Sequence, residues 1–145
     1  MLQCVRQAIP DHTYVHHGTT SAQTPLLKST NDATKVLGRL FPDILVRDDA
    51  GTIAVIDAKY KRLVDPFPVA REDLYQLTSY VVGIGGSRPV LGMLAYPDVE
   101  ESPASAAEQL SPWLFAGMGN DSLIEFRRFP VDTDSCIAAM RKIFM

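Results

Sequence analysis

Residues 42–60 read PDILVRDDAGTIAVIDAKY, and the way this stretch folds back on itself decides the architecture. Ile44, Leu45 and Val46 have the β-branched and aliphatic character of a strand, and residues 52–60 form a second run rich in Ile and Val. Between them, Asp48-Asp49-Ala50-Gly51 carries turn chemistry, so the two runs are predicted to form an antiparallel hairpin. Side chains alternate between the two faces of a strand, which puts Ile53, Val55, Asp57 and Lys59 on one face and Ala54, Ile56, Ala58 and Tyr60 on the other. Asp43 stands at the start of the partner strand. If Asp48 pairs with Thr52 across a three-residue loop, Asp43 falls opposite Asp57 on the same face. A two-residue loop at Asp49-Ala50 would put Asp43 opposite Ile56, because a slip of one residue inverts every side chain. Gly51 occupies the position where three-residue loops want a left-handed residue, so that loop, or a bulge of equal effect, is predicted.

Outward from the hairpin, residues 62–70 hold Pro66 and Pro68 and read as a loop. Residues 71–82 follow a helical period through Leu74, Leu77 and Val81, with Gly83 as the expected stop. Residues 90–96 are almost continuously apolar, as in a strand buried on both faces. Residues 97–112 read as a surface segment with a short helix around 104–110, and 123–129 as another strand. Asp132 is a good N-cap for a final helix over 131–145, whose apolar stripe is Cys136, Ile137, Met140, Ile143 and Phe144, with Arg141 and Lys142 in the last turn. Upstream, 1–30 is poorly defined: a short strand is expected near 12–16, and 31–40 reads as a brief helix with Val36, Leu37 and Leu40 inward. The order implies a single α/β domain over 1–145 with a mixed β-sheet flanked by helices.

The totals agree with a small soluble protein. The chain has 145 residues, 46% of them hydrophobic and 21% charged, enough for one core. The apolar runs around 89–97 and 113–118 are too short to span a bilayer, and residues 1–10 lack the apolar region of a secretory signal, so a cytoplasmic protein is expected. Cys4 and Cys136 lie near opposite ends and read as reduced thiols. A net charge of −3 argues against a generally basic nucleic-acid-binding surface and moves any such claim onto local features.

Those local features are the hairpin acids. Two convergent carboxylates make a hard oxygen site suited to Mg²⁺ or Mn²⁺, which would act as a Lewis acid on a phosphate. Lys59 beside them should stay protonated and stabilise developing negative charge. On the helix, Asp73, Gln76 and Tyr80 share a face; Gln76 and Tyr80 can hydrogen-bond a phosphate or a water, and Asp73 reads as a first-turn helix charge. An ordinary surface ion pair would explain Asp57 and Lys59 alone, but not at the end of so apolar a strand. Trp113 and Phe115 read as core residues, and Arg127 and Arg128 as strand-edge charges.

Pro42-Asp43 followed by Asp57-Ala58-Lys59 resembles the signature of the PD-(D/E)xK nuclease superfamily, whose members have a restriction-endonuclease-like core. Gln76-Leu77-Thr78-Ser79-Tyr80 resembles the Q-x-x-x-Y motif of its RecB-like branch. More narrowly, PDILV, VIDAKYK, DLYQLTSYV and LAYP, together spanning 42–97, resemble the nuclease domain of McrC, the cleavage subunit of modification-dependent restriction systems. The resemblance implies a Mg²⁺-dependent DNA endonuclease, with Asp43, Asp57 and the Ala58 carbonyl as metal ligands, Lys59 as catalytic lysine, and Gln76 and Tyr80 in support. Lys61 and Arg62, directly after the site, would contact DNA phosphates. It also implies a GTP-hydrolysing McrB-like partner, docked through an N-terminal part that this chain is too short to include. Cutting both strands would need two sites, and so a homodimer or a larger assembly. The superfamily often adds an acid from an upstream helix; here Asp32, or His16 and His17, are the substitutes on offer. A catalytically inactive DNA-binding or assembly module of the same fold is the alternative.

Overall fold

In the computed structural model, residues 1–10, 14–18, 24–60, 69–98, 112–116 and 119–145 are described. Helix α1 (Leu2–Ala8) is followed by strands β1 (Tyr14–His17), β2 (Thr24–Lys28), β3 (Val36–Leu40), β4 (Ile44–Asp48) and β5 (Gly51–Ala58). Then come helix α2 (Arg71–Gly85), strands β6 (Leu91–Asp98), β7 (Trp113–Leu114) and β8 (Leu123–Pro130), and helix α3 (Thr133–Phe144). Six strands form one sheet in the order β1-β4-β5-β6-β8-β7, while β2 and β3 pair separately. Strands β5, β6 and β8 run parallel, and β1, β4 and β7 add antiparallel neighbours, so the sheet is mixed. Helices cover both faces, giving the α/β class expected and a layout compatible with a restriction-endonuclease-like core.

The two sheet faces bury different residues because β4 and β5 alternate strictly where they matter. Ile44, Val46, Ala54, Ile56, Met93 and Ala95 pack with α1 and α3, where Val5, Cys136, Ile137 and Met140 are buried. Leu45, Val55, Leu94, Tyr96, Ile124 and Phe126 pack on the other face against Leu77, Tyr80 and Val81 of α2. Strand β6 contributes to both clusters, which is why its sequence is continuously apolar. Asp132 caps α3, its carboxylate accepting from the Ser135 amide at 2.8 Å.

The hairpin turns by a combination of both loops considered above. Asp48 pairs with Gly51 and Arg47 with Thr52 around a two-residue loop, and Gly51 has φ 130°. The register then shifts, and Val46 pairs with Ala54, Leu45 with Val55 and Ile44 with Ile56. Ile53 is the extra residue of this bulge. The bulge restores the pairing of the three-residue loop, so continuing the register sets Asp43 opposite Asp57. It also corrects one expectation: Ile53 does not share the face of Val55 and Asp57 but packs against the α1–α3 side.

Other elements differ from expectation for identifiable reasons. Residues 36–40 are a strand, not part of a helix, because they pair with 24–28; Leu40 is buried, but Leu37 stands 72% exposed rather than inward. Helix α2 runs through Gly83 to Gly85, and Gly86, at φ 69°, ends it. Gly83 is there for packing: a Cβ would lie 2.4 Å from Leu40 Cδ1. Trp113 is half exposed on β7, not a core residue. Arg127 pairs with the buried Glu125 on β8, beyond Leu123 and Ile124, the two residues with which β7 pairs. Helix α1 and strand β2 have no counterpart in the reading of 1–30. The short helix expected around 104–110 lies outside the described residues, as do Lys61, Arg62 and His12.

Gly92 of β6 sits directly beneath α2, where an added Cβ would meet Val81 Cγ2 at 2.6 Å and Ile124 Cδ1 at 2.8 Å. Overpacking of this kind costs about 1–3 kcal/mol of unfolding free energy, so Gly92→Val is expected to lower the urea midpoint of unfolding in proportion, at unchanged slope. An unchanged midpoint would show that the α2–sheet contact is loose.

Candidate active site

The C-terminal end of β5 delivers its charged residues under the start of α2. Asp57 is 5% exposed, and the Lys59 amide donates to the Ala95 carbonyl at 2.8 Å, which holds the lysine on the sheet beyond the last residue of β5. Asp43, just before β4, reaches across the hairpin: its Oδ2 accepts from the Ala58 amide at 2.8 Å. The hairpin therefore brings together the two acids and the amine that the sequence singled out.

Helix α2 closes the site from above. Lys59 Nζ lies 2.5 Å from Asp57 Oδ2, 3.0 Å from Asp73 Oδ1 and 3.2 Å from Gln76 Oε1. Gln76 Nε2 donates to the Tyr80 hydroxyl at 2.9 Å, and that hydroxyl donates to the Phe41 carbonyl at 3.2 Å. A chain of contacts thus runs from the ammonium through the amide and the phenol to the backbone just before Asp43. Tyr80 holds the loop that aims the first acid, and Gln76 holds the lysine.

Asp73 belongs to this centre, although its position in the first turn of a helix had an ordinary electrostatic explanation. It is 9% exposed and paired to Lys59. The signal that could have found it was present: it lies one turn before Gln76 and two before Tyr80, on the helix face they share. Asp32 and His17 do not join the centre. Asp32 accepts from both the amide and hydroxyl of Thr34, in the turn before β3. His16 stacks on Tyr14 with ring centroids 6.5 Å apart. Strand β1 pairs His17 with Ile44, on the sheet face opposite the acids.

The electrostatics follow from two carboxylates sharing one ammonium, with a third carboxylate beside the first. Burial pushes the Asp57 carboxyl above the usual range; Lys59 pulls it back, and the neighbouring charge of Asp43 raises it again. Burial alone would lower the Lys59 ammonium, but its contacts with Asp57 and Asp73 outweigh that and raise it, so it is a cation at neutral pH. The two shifts agree once the sharing is noticed: Lys59 divides its charge between two acids, while Asp57 also faces a third. Burial first, then the charge of Asp57, raises the Tyr80 hydroxyl. Burial and the charge of Asp73 push Tyr96 up to about 12.

This donor set fits a hard divalent cation. The buried Asp57 carboxylate has the Lys59 ammonium against its Oδ2 and the charge of Asp43 beside it. Two neighbouring carboxylates, one of them buried, are what such a cation would satisfy. Among the described residues no group of three or more His, Cys, Asp or Glu side chains forms a metal cage. The side-chain donors are thus two, and backbone, solvent or substrate oxygens would complete the shell.

Fold and site together define a restriction-endonuclease-like α/β domain with a carboxylate–lysine centre. The chain belongs to the family described as McrBC 5-methylcytosine restriction system component, whose model matches residues 3–97. Its fold is similar to that of a chain in the refined half-complex from the tetradecameric assembly of Thermococcus gammatolerans McrB AAA+ hexamers with bound McrC, with a TM-score of 0.64 and 13% identity. That match covers 97% of this chain and 30% of the other, so the present chain spans under a third of its structural relative. No curated protein matches by sequence. No helix among the described residues is long and apolar enough to cross a membrane.

A raised carboxyl has a definite consequence for stability. Between the unfolded and folded pKa of Asp57 the native state binds more protons, so the contribution of this group falls as pH rises through that window. With chelator present, Asp57→Asn is expected to melt at or above the wild-type temperature at pH 8, and the advantage should shrink as pH falls below the carboxylate range. Thermal melts at both pH values check this, and a variant that melts well below wild type at pH 8 would contradict it.

Proposed function

We propose that this domain is the nuclease part of an McrC-like protein, a member of the PD-(D/E)xK superfamily that hydrolyses DNA phosphodiesters. The observation that carries the reading is the convergence of Asp43, Asp57 and Lys59 at one strand end, with Gln76 and Tyr80 bonded in sequence behind them. Asp43 and Asp57, with the Ala58 carbonyl, would hold Mg²⁺ or Mn²⁺, and the bound ion would supply Lewis-acid charge at the scissile phosphate.

The chain's own residues do the rest. Lys59, held cationic, places fixed positive charge where the phosphorane gains negative charge. It is a stabiliser, because a proton held this firmly is not available for base catalysis. Gln76 orients the ammonium, and Tyr80 fixes the backbone before Asp43, so both act on geometry more than on charge. Lys61 and Arg62 follow the site directly in sequence and are proposed as phosphate contacts. By analogy with McrC bound to McrB hexamers, the partner is a McrB-type AAA+ ring, engaged by the whole protein of which this domain would be a part. Double-strand cutting would then bring two such domains together.

A plasmid-nicking assay with Mg²⁺ tests the chemistry. Lys59→Ala is expected to slow nicking by about 10²–10³-fold, the usual loss for a transition-state charge donor, and Asp57→Ala to abolish it. Equal rates in wild type and both variants would mean that the activity belongs to a contaminant. DNA binding that weakens steeply with salt, without any cleavage, would favour the inactive-module alternative.

A further inference from the structure

We propose that Asp73 is a positioning residue that takes over Lys59 when a divalent ion claims Asp57. The proposal rests on the nuclease reading above and adds a fourth charged group to it. Three oxygens surround the ammonium, from Asp57, Asp73 and Gln76, all within 3.2 Å. They are not equivalent. Asp57 is the acid that faces Asp43, whereas Asp73 lies on the other side of the ammonium's contacts, on α2. A cation between Asp43 and Asp57 would draw on the same Asp57 oxygens and repel the ammonium.

The lysine then depends on what remains. Gln76 alone offers a neutral amide oxygen. Asp73 offers a buried carboxylate fixed in the first turn of α2, a rigid element, and so holds the charge at a set distance from the ion. One N–H of the ammonium, released by Asp57, becomes available to a phosphate oxygen. With no ion bound, Lys59 would supply the positive charge that Asp57 faces; with one bound, it would be free to touch a substrate oxygen. Asp73 makes the second state as ordered as the first.

Heteronuclear NMR of lysine ammonium groups reads this without cleavage. The Lys59 cross-peak is assigned by its absence in Lys59→Arg. In wild type it is expected to shift on adding Mg²⁺ yet persist. In Asp73→Asn it should be present without Mg²⁺ and vanish into fast exchange with it, and Asp73→Glu, which keeps the charge, should restore persistence. In nicking assays Asp73→Asn is expected to lose on the order of tenfold in kcat with KM little changed, the pattern of a contact made in the transition state. A cross-peak that persists in Asp73→Asn with a normal Mg²⁺ response overturns the role of Asp73 alone and leaves the nuclease reading intact. A wild-type spectrum that Mg²⁺ does not alter overturns the hand-over and the divalent-ion reading together. If Asp73→Asn fails to fold, Gln76→Met tests the same point from the other side: with Asp73 left as the remaining anchor the peak must survive Mg²⁺, and its loss would overturn the proposal.

Discussion

One extra residue in β5 sets the site. Around the tight turn, Asp48 faces Gly51, and continuing that register would carry Asp43 to the side of the sheet away from Asp57. The bulge at Ile53 absorbs the difference, and from Val46–Ala54 onward the pairing places both acids beneath α2. Apolar burial enforces the choice, since Ile44, Val46, Ala54 and Ile56 are wanted by α1 and α3, and Leu45 and Val55 by α2. The chemistry thus inherits its geometry from hydrophobic partition: the acids face one another because six neighbours could not be buried otherwise.

Charge balance gives the centre its second character. Two carboxylates touch one ammonium in a half-closed space, and a third, Asp43, stands beside Asp57. Such an arrangement sets burial of Asp57 against its charge, which is usual where a fold serves a reaction. The Gln76–Tyr80–Phe41 chain costs nothing of that kind. Its members are neutral and hydrogen-bonded, and they keep the strained part in register.

The parts that could be read in advance were those governed by local rules. Alternation from Ala54 to Asp57, the helical stripe Leu74-Leu77-Val81, the apolar run at 90–96 and the Asp132 cap all appear in the structure, while the bulge at Ile53 breaks the alternation before them. Asp43, Asp57, Lys59, Gln76 and Tyr80 converge because their spacing reflects those same local rules. The failures come from contacts distant in sequence. Residues 36–40 have an apolar trio that suits either a helix or a strand, and only pairing with 24–28 decides between them. Gly83 looks like a helix stop until Leu40 is seen lying against it. Helix α1 has seven residues, too few for a period to emerge from composition. Asp73 was passed over because an acid in a first turn already has a reason to be there.

Helices α1 and α3 lie together on the sheet face opposite α2, with Cys4 and Cys136 both buried in the same cluster. The first and last residues of the described fold therefore leave from the layer that the acids do not occupy. A tag fused at either end therefore starts on the sheet face opposite Asp43 and Asp57.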